Sequence, residues 1–293
     1  MVRVDGPRDL KKDVPLHSLT SLRVGGKARF FAEPAEVAAV AELLRWTTAK
    51  AVDWTCLGSG TNVLLLDSGH RGLVIRTTAL RGISIDGNRV TAAGGEPLAR
   101  VARLASEAGL SGLEWACGIP GTVGGAIVMN AGTRDGEIAD VLEDATYIDA
   151  EGPIRRAAVE LGLDYRCSAF LDGELRGVIV GAAFELTSSL PEQTLSTVRR
   201  LLAERSRRFP EGATAGCTFR NPPAGPTAGE LLDRAGCKGL RVGDACVSPV
   251  HANFIVNDGA ENASDILQLI EAMKGRVKDV FGVELVEEIV VFS

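Results

Sequence analysis

Apolar residues recur along this chain at helical spacing in some stretches and in short β-like runs in others, and the two patterns alternate. Val37, Val40, Leu43 and Leu44 lie one helical turn apart, with Pro34 at the first turn, which predicts a helix over Pro34–Lys50. Ala51–Leu57, Val63–Leu66 and Gly72–Arg76 are short apolar runs of the kind that form buried strands. From Ile83 the pattern changes. Ile83-Ser84-Ile85 and Arg89-Val90-Thr91 flank Asp86-Gly87-Asn88, a hairpin signal. A helix over Pro97–Ala108 follows, with Leu98, Val101, Leu104 and Ala105 on one face, then a second hairpin around Asp149–Gly152 and a strand over Val178–Leu186. Pro191–Arg208 reads as a helix through Leu195, Val198, Leu201 and Leu202, and Gly229–Ala235 as a short one. Ser264 is placed to cap a long final helix through Ile266, Leu269, Ile270, Met273 and Val277, which Gly282 stops before a β-rich end over Val283–Phe292. This mixture predicts an α+β chain in three parts, over residues 1–76, 77–187 and 188–293.

Two stretches escape both patterns because glycine dominates them. Leu57-Gly58-Ser59-Gly60-Thr61-Asn62 follows a predicted strand, and Trp115–Gly132 carries Gly118, Gly121, Gly124, Gly125 and Gly132 around Pro120. Glycine lets the backbone turn tightly and lets a ligand come close, while proline keeps the turn from being slack. Such backbone N–H groups suit an anion such as a diphosphate. The spacing is neither GxxxxGK[ST] nor GxGxxG, which excludes the P-loop and the usual dinucleotide-binding βαβ unit.

Composition narrows the class. Apolar residues make up 45% and charged residues 24% of 293, ordinary for a globular chain. No apolar run approaches the ~20 residues that span a bilayer, and the start MVRVDGPRDLKKD has no apolar signal core, so a cytoplasmic location without membrane insertion is expected. A net charge of −6 argues against nucleic acid, so an anionic ligand needs a local basic cluster. Arg205-Ser206-Arg207-Arg208 is the densest one, and cations also suit a helix C-terminus. Cys56, Cys117, Cys167, Cys217, Cys237 and Cys246 are scattered with no CxxC pair; no metal site or disulfide is expected, and small core residues are the plain expectation.

Taken in order, TSLRVGGKA, LGSGTNVLLLDSGHRGLVI, GIPGTVGGAIVMNAG, YRCSAF, AGCTFRNP, AGELLDRAGCKG, HANFIVN and LVEEI resemble the UDP-N-acetylenolpyruvoylglucosamine reductase family from about Leu16 to Ile289. The resemblance implies a two-domain FAD-binding module of the vanillyl-alcohol-oxidase type plus a C-terminal α+β substrate domain. YRCSAF passes directly to the strand at Val178, which leaves no room for an inserted tyrosine loop and points to the shorter type. Gly132-Thr133-Arg134-Asp135-Gly136 departs from the family's usual Gly-Ala-Tyr-Gly, and Cys217 stands where serine is more usual.

The activity implied is NADPH-dependent reduction of an enolpyruvyl ether to a lactyl ether through FAD, with UDP-N-acetylglucosamine enolpyruvate as substrate and the chain acting as a monomer. Another FAD-dependent oxidoreductase on the same architecture, or a flavoprotein that does not turn over NADPH, is the alternative. By motif position, Arg166 would hold the substrate carboxylate, Cys217 would donate a proton to C2, and Glu288 would polarise the carboxylate, with Glu287 its rival. FAD would be met by Arg23, by Gly58, Ser59, Gly60, Thr61 and Asn62, and by Gly118, Pro120, Gly121, Thr122, Gly124, Gly125, Asn130 and Gly132. Arg205, Arg208 and Lys238 would face the nucleotide diphosphate, with Asn221 and His251 as polar contacts.

Overall fold

A computed structural model describes residues 6–7 and 9–292, so the first five residues of the segment read for a signal core lie outside the described residues. The chain divides into two compact units: residues 1–12, 30–59 and 72–205 in one, and residues 13–29, 60–71 and 206–293 in the other.

The first unit has two cores. Helix α1 (Val37–Lys50) turns Val40, Leu43 and Leu44 onto Phe30, Leu73 and Ile75. Its neighbours include the parallel strand pair that aligns Trp54 with Leu73 and Leu57 with Arg76. The second core lies on a five-stranded antiparallel sheet ordered Pro153–Ala157, Leu142–Ile148, Val178–Glu185, Arg89–Ala93 and Ile83–Asp86. Both expected hairpins are there. Helix α2 (Leu98–Glu107) covers this sheet with Leu98, Val101 and Ala105, all fully buried.

Some elements were not legible, the three short strands between Arg241 and Asn257 among them. Within the glycine stretch, Val123–Val128 forms a helix, α3, with Thr122 as its N-cap; the Thr122 hydroxyl accepts from the Gly125 N–H at 3.2 Å. Two consecutive glycines cost a helix roughly 2 kcal/mol against alanine, so propensity argues for a loop. Burial reverses that: Val123 and Ile127 are fully enclosed in the sheet's core, and each such side chain contributes about 1.5–3 kcal/mol. The first unit ends at Arg205, within helix α4 (Pro191–Arg208).

The second unit packs α5 (Ala228–Arg234) and α6 (Ser264–Phe281) around the short antiparallel strands Arg241–Val242, Ala245–Val247 and Ile255–Asn257. Segments from far upstream complete it, since Leu22, Val24 and Leu64 share its core, and Val290–Phe292 pairs in parallel with Val63–Leu65. Ser264 does not cap α6. It is the first helical residue, after Ala263, and its hydroxyl donates to Asn262 Oδ1 at 2.6 Å. Ile266, Leu269, Ile270, Met273 and Val277 are buried along α6, and their burial outweighs the roughly 1 kcal/mol that a good cap adds. Gly282 ends the helix as expected, left-handed at φ 69°.

The cysteines are not all core. Cys237 and Cys246 are buried, Cys56 is exposed and the other three are half-buried.

Candidate active site

In the first unit the two glycine clusters meet. A Cβ on Gly58 would fall 2.5 Å from Thr122 Oγ1, so only a bare α-carbon lets the Gly58–Ser59 turn lie against the second cluster. Gly118 is bare for a similar reason: a Cβ there would come within 2.6 Å of Arg205 Cδ. Gly121 has φ 137°, open only to glycine at low cost. Bare backbone brought together in this way suits a dinucleotide, whose diphosphate and ring need close main-chain approach.

The start of α3 is not the anion cradle that the glycine spacing suggests. Val123 N–H donates to Glu96 O at 2.9 Å, Gly124 N–H to Gly94 O at 2.8 Å, and Gly125 N–H to the Thr122 hydroxyl. Those donors are committed to the protein. Gly124 is buried and is small for packing, since a Cβ would press on Gly94 O and Ile179 O at 3.2 and 3.4 Å. Gly125 is exposed, so its contribution to a cofactor surface is shape rather than an N–H.

After α3 the chain reverses at Asn130, φ 37°, whose side chain is wholly buried. Asn130 Nδ2 donates to Asp164 O at 2.9 Å and its Oδ1 accepts from Ala139 N–H at 3.0 Å. Asn130 therefore holds main chain on both of its sides. The Arg166 guanidinium donates to Asn130 O at 3.1 Å and to Gly132 O at 2.7 Å. Each terminal nitrogen of a guanidinium carries a second N–H, so these bonds orient the fork and still suit it to a carboxylate. The stretch that departs from the family's usual sequence is a small hairpin pairing Gly132–Thr133 with Gly136–Glu137, and Arg134 at its tip meets Glu204 at 2.6 Å.

In the second unit, residues 217–220 lie between two other chain segments. Cys217 bridges to Phe254, Thr218 N–H donates to Asn253 O at 2.8 Å, Arg220 N–H to Val286 O at 2.9 Å, and Glu288 N–H to Thr218 O at 2.8 Å. The backbones that carry Cys217 and Glu288 are thus neighbours. Glu287 is a different matter, since its carboxylate pairs with Lys274 Nζ at 2.9 Å. Asn62 Nδ2 donates to Glu288 O at 3.2 Å and Asn62 O accepts from Val290 N–H, so the first glycine cluster ends on the segment that carries Glu288. Ser21 N–H donates to Gly60 O, and Arg23 stands exposed at φ 60° between the buried Leu22 and Val24.

The basic candidates fall into two groups. Arg205 belongs to the first unit, its stem over Gly118. Arg208, Lys238 and His251 belong to the second, where the imidazole stacks on Phe209 at 5.5 Å and meets Phe254 edge-on at 4.9 Å. Burial, and then the charges of Arg208 and Lys238, hold His251 below the usual histidine range. Its Nδ1 accepts from Asn253 N–H at 3.2 Å, which leaves Nε2 to carry the proton of the neutral ring. Lys238 is paired with Asp233 at 2.8 Å. Asn221 Oδ1 accepts from Ala228 N–H at 3.0 Å and so helps to begin α5.

Asn253 was not singled out by its sequence. It is 2% exposed, accepts from Phe219 N–H at 2.9 Å and donates to Phe219 O at 2.8 Å, so one amide fixes the strand two residues beyond Cys217. A polar residue inside the apolar run of HANFIVN is the signal that could have found it.

Comparison with known proteins finds two family matches along the chain. Residues 28–158 match the family model of an FAD binding domain, and residues 208–292 match the C-terminal domain of UDP-N-acetylenolpyruvoylglucosamine reductase. The chain is 42% identical over 284 residues to the UDP-N-acetylenolpyruvoylglucosamine reductase of Synechococcus elongatus, covering 96% of this chain and 93% of that one. It is 40% identical over 280 residues to that of Rubrobacter xylanophilus, with 95% and 94% covered. The crystal structure of the Thermus caldophilus enzyme of that name matches at TM-score 0.81 and 36% identity, over 96% of this chain and 98% of that one.

Proposed function

This chain belongs to the UDP-N-acetylenolpyruvoylglucosamine reductase family, and from that premise we propose how its residues reduce UDP-N-acetylglucosamine enolpyruvate to UDP-N-acetylmuramate, a step of peptidoglycan precursor synthesis. It is an FAD-containing, NADPH-dependent oxidoreductase. One observation carries the reading: an FAD-binding-domain match and a C-terminal reductase-domain match account for different parts of one chain. No helix among the described residues is long and apolar enough to cross a membrane, and we place the enzyme in the cytoplasm as a monomer. Light scattering tests that state. We assign the FAD-binding module two subdomains, residues 1–76 and 77–187, with residues 13–29 and 60–71 of the first packed in the second unit.

FAD would supply the two-electron chemistry between NADPH and the enolpyruvyl group, and in the first unit the bare backbone at Gly58–Ser59 and Gly118–Gly121 would hold it. Hydride arriving at C3 of the enolpyruvyl ether pushes negative charge onto C2 and the carboxylate. The protein then needs a cation at the carboxylate and an acid at C2. Arg166, already oriented by Asn130 O and Gly132 O, holds the carboxylate. Cys217 gives its thiol proton to C2, completing the lactyl ether, and regains one from solvent. Glu288 hydrogen-bonds the carboxylate directly or through a water, whereas the Lys274 pairing gives Glu287 a structural task. In the second unit Arg208, Lys238 and the Nε2 of His251 would meet the nucleotide diphosphate, with Asn221 at the edge; Arg205 is a further candidate by its place in the same basic run. The test is oxidation of NADPH by the FAD-loaded protein with and without the enolpyruvyl nucleotide. Consumption that does not depend on the nucleotide would sink the assignment.

A further inference from the structure

Arg166 sits at φ 54° and Asn130 at φ 37°. Asparagine tolerates that left-handed region, but arginine rarely enters it. Such conformations persist only where the surroundings over-determine them, and they gather at functional sites. Here the surroundings are specific. Ser168 is fully buried, its hydroxyl donates to Val128 O at 2.6 Å, and it accepts from Leu171 N–H at 3.2 Å. Asn130 ties the other side of the loop through Asp164 O, two residues before Arg166. The loop that carries Arg166 is therefore clipped to residues 128–132 at both ends, and the carbonyls that orient the guanidinium belong to that same stretch. A long arginine side chain loses much rotamer freedom on ordering. The clip removes that freedom before a substrate arrives.

We propose that Ser168 and Asn130 are positioning residues for the substrate carboxylate, acting only through Arg166. This rests on the reading of Arg166 as the group that holds the carboxylate. Neither side chain needs to touch the substrate, and neither has an ionisable group to contribute. Their effect is to keep the fork where a carboxylate can be met by two parallel N–H groups.

Calorimetric titration of the FAD-loaded enzyme tests this without turnover. Two probes share the nucleotide and the sugar: UDP-N-acetylmuramate carries the lactyl carboxylate and UDP-N-acetylglucosamine has none. Ser168→Ala is expected to weaken UDP-N-acetylmuramate on the order of ten-fold, the loss of a well-aligned charged hydrogen bond, and to leave UDP-N-acetylglucosamine unchanged. Arg166→Ala weakens the first probe at least as much. The double variant is no weaker than Arg166→Ala alone, because residues that act through one another are non-additive. Asn130→Asp, which keeps the acceptor for Ala139 and removes the donor to Asp164, repeats the test if Ser168→Ala does not retain flavin. Equal weakening of both probes, an additive double variant, or an unchanged Ser168→Ala affinity each overturns the proposal. If Arg166→Ala itself binds UDP-N-acetylmuramate like the parent protein, the reading of Arg166 falls, and the positioning roles fall with it.

Discussion

Removing the Asn253 amide should loosen the strand that carries Cys217. Asn253 is 2% exposed and makes two hydrogen bonds to Phe219, which is itself 1% exposed, so no water can replace them without an opening. In Asn253→Ala the Phe219 N–H and C=O are left buried and unpaired. Each such group costs about 1–3 kcal/mol, so the loss is roughly 2–6 kcal/mol. Asn253→Asp separates the two bonds. Its carboxylate can still accept from Phe219 N–H, but its other oxygen faces a carbonyl and can make a bond only when protonated. The folded state therefore raises this carboxyl above its unfolded value of about 3.9. A raised folded pKa means stability that is whole below the unfolded value and lost as pH rises through the folded one. The aspartate variant should approach the parent near pH 4 and resemble Asn253→Ala near pH 8. Trp46, Trp54 and Trp115 all lie in the first unit, so none is a local probe of this segment. Far-UV circular dichroism in urea and amide exchange at Thr218–Arg220 report it directly. A midpoint and an exchange rate indistinguishable from the parent in Asn253→Ala would refute the reasoning.

Cys217→Ala should slow reoxidation of reduced flavin by substrate roughly 10²–10⁴-fold, the worth of a general acid, while reduction by NADPH survives and Cys217→Ser stays active; stopped-flow absorbance separates the two steps. Glu288→Gln should slow the same reoxidation, whereas Glu287→Gln, which loses only a half-exposed pairing with Lys274, should change it less than about three-fold, within the small worth of such pairs. His251 is held neutral by burial and by the charges of Arg208 and Lys238, so its stabilising contribution is present above about pH 6.5 and fades on acidification. Arg208→Ala should raise its titration midpoint, read by NMR; an unchanged midpoint would remove Arg208 from its vicinity.

Much of the fold was legible because burial is periodic. The spacing of Leu98, Val101 and Ala105, or of Ile266, Leu269, Ile270 and Met273, leaves one face to hide, and the structure hides it. Helix α3 was not legible, since its glycines have poor propensity and its stability comes from the sheet beneath. The pairing of Val290–Phe292 with Val63–Leu65 was equally hidden, because nothing local links two strands so far apart in sequence. At the site, chemistry-bearing residues such as Arg166, Cys217 and Glu288 stand out in their motifs. Asn253, Ser168 and the main-chain bonds of Asn130 do not, because these side chains bond groups that only the folded chain brings near.

The central claim is a reduction of one double bond in one nucleotide. Incubating the FAD-loaded protein with NADPH and UDP-N-acetylglucosamine enolpyruvate, and weighing the nucleotide by mass spectrometry, tests it most directly. The expected product is heavier by two hydrogens, formed in equal amount to the NADPH consumed and identical in chromatography to UDP-N-acetylmuramate. Recovery of the enolpyruvyl nucleotide unchanged, with the protein loaded with FAD and its flavin reducible by NADPH, would contradict it.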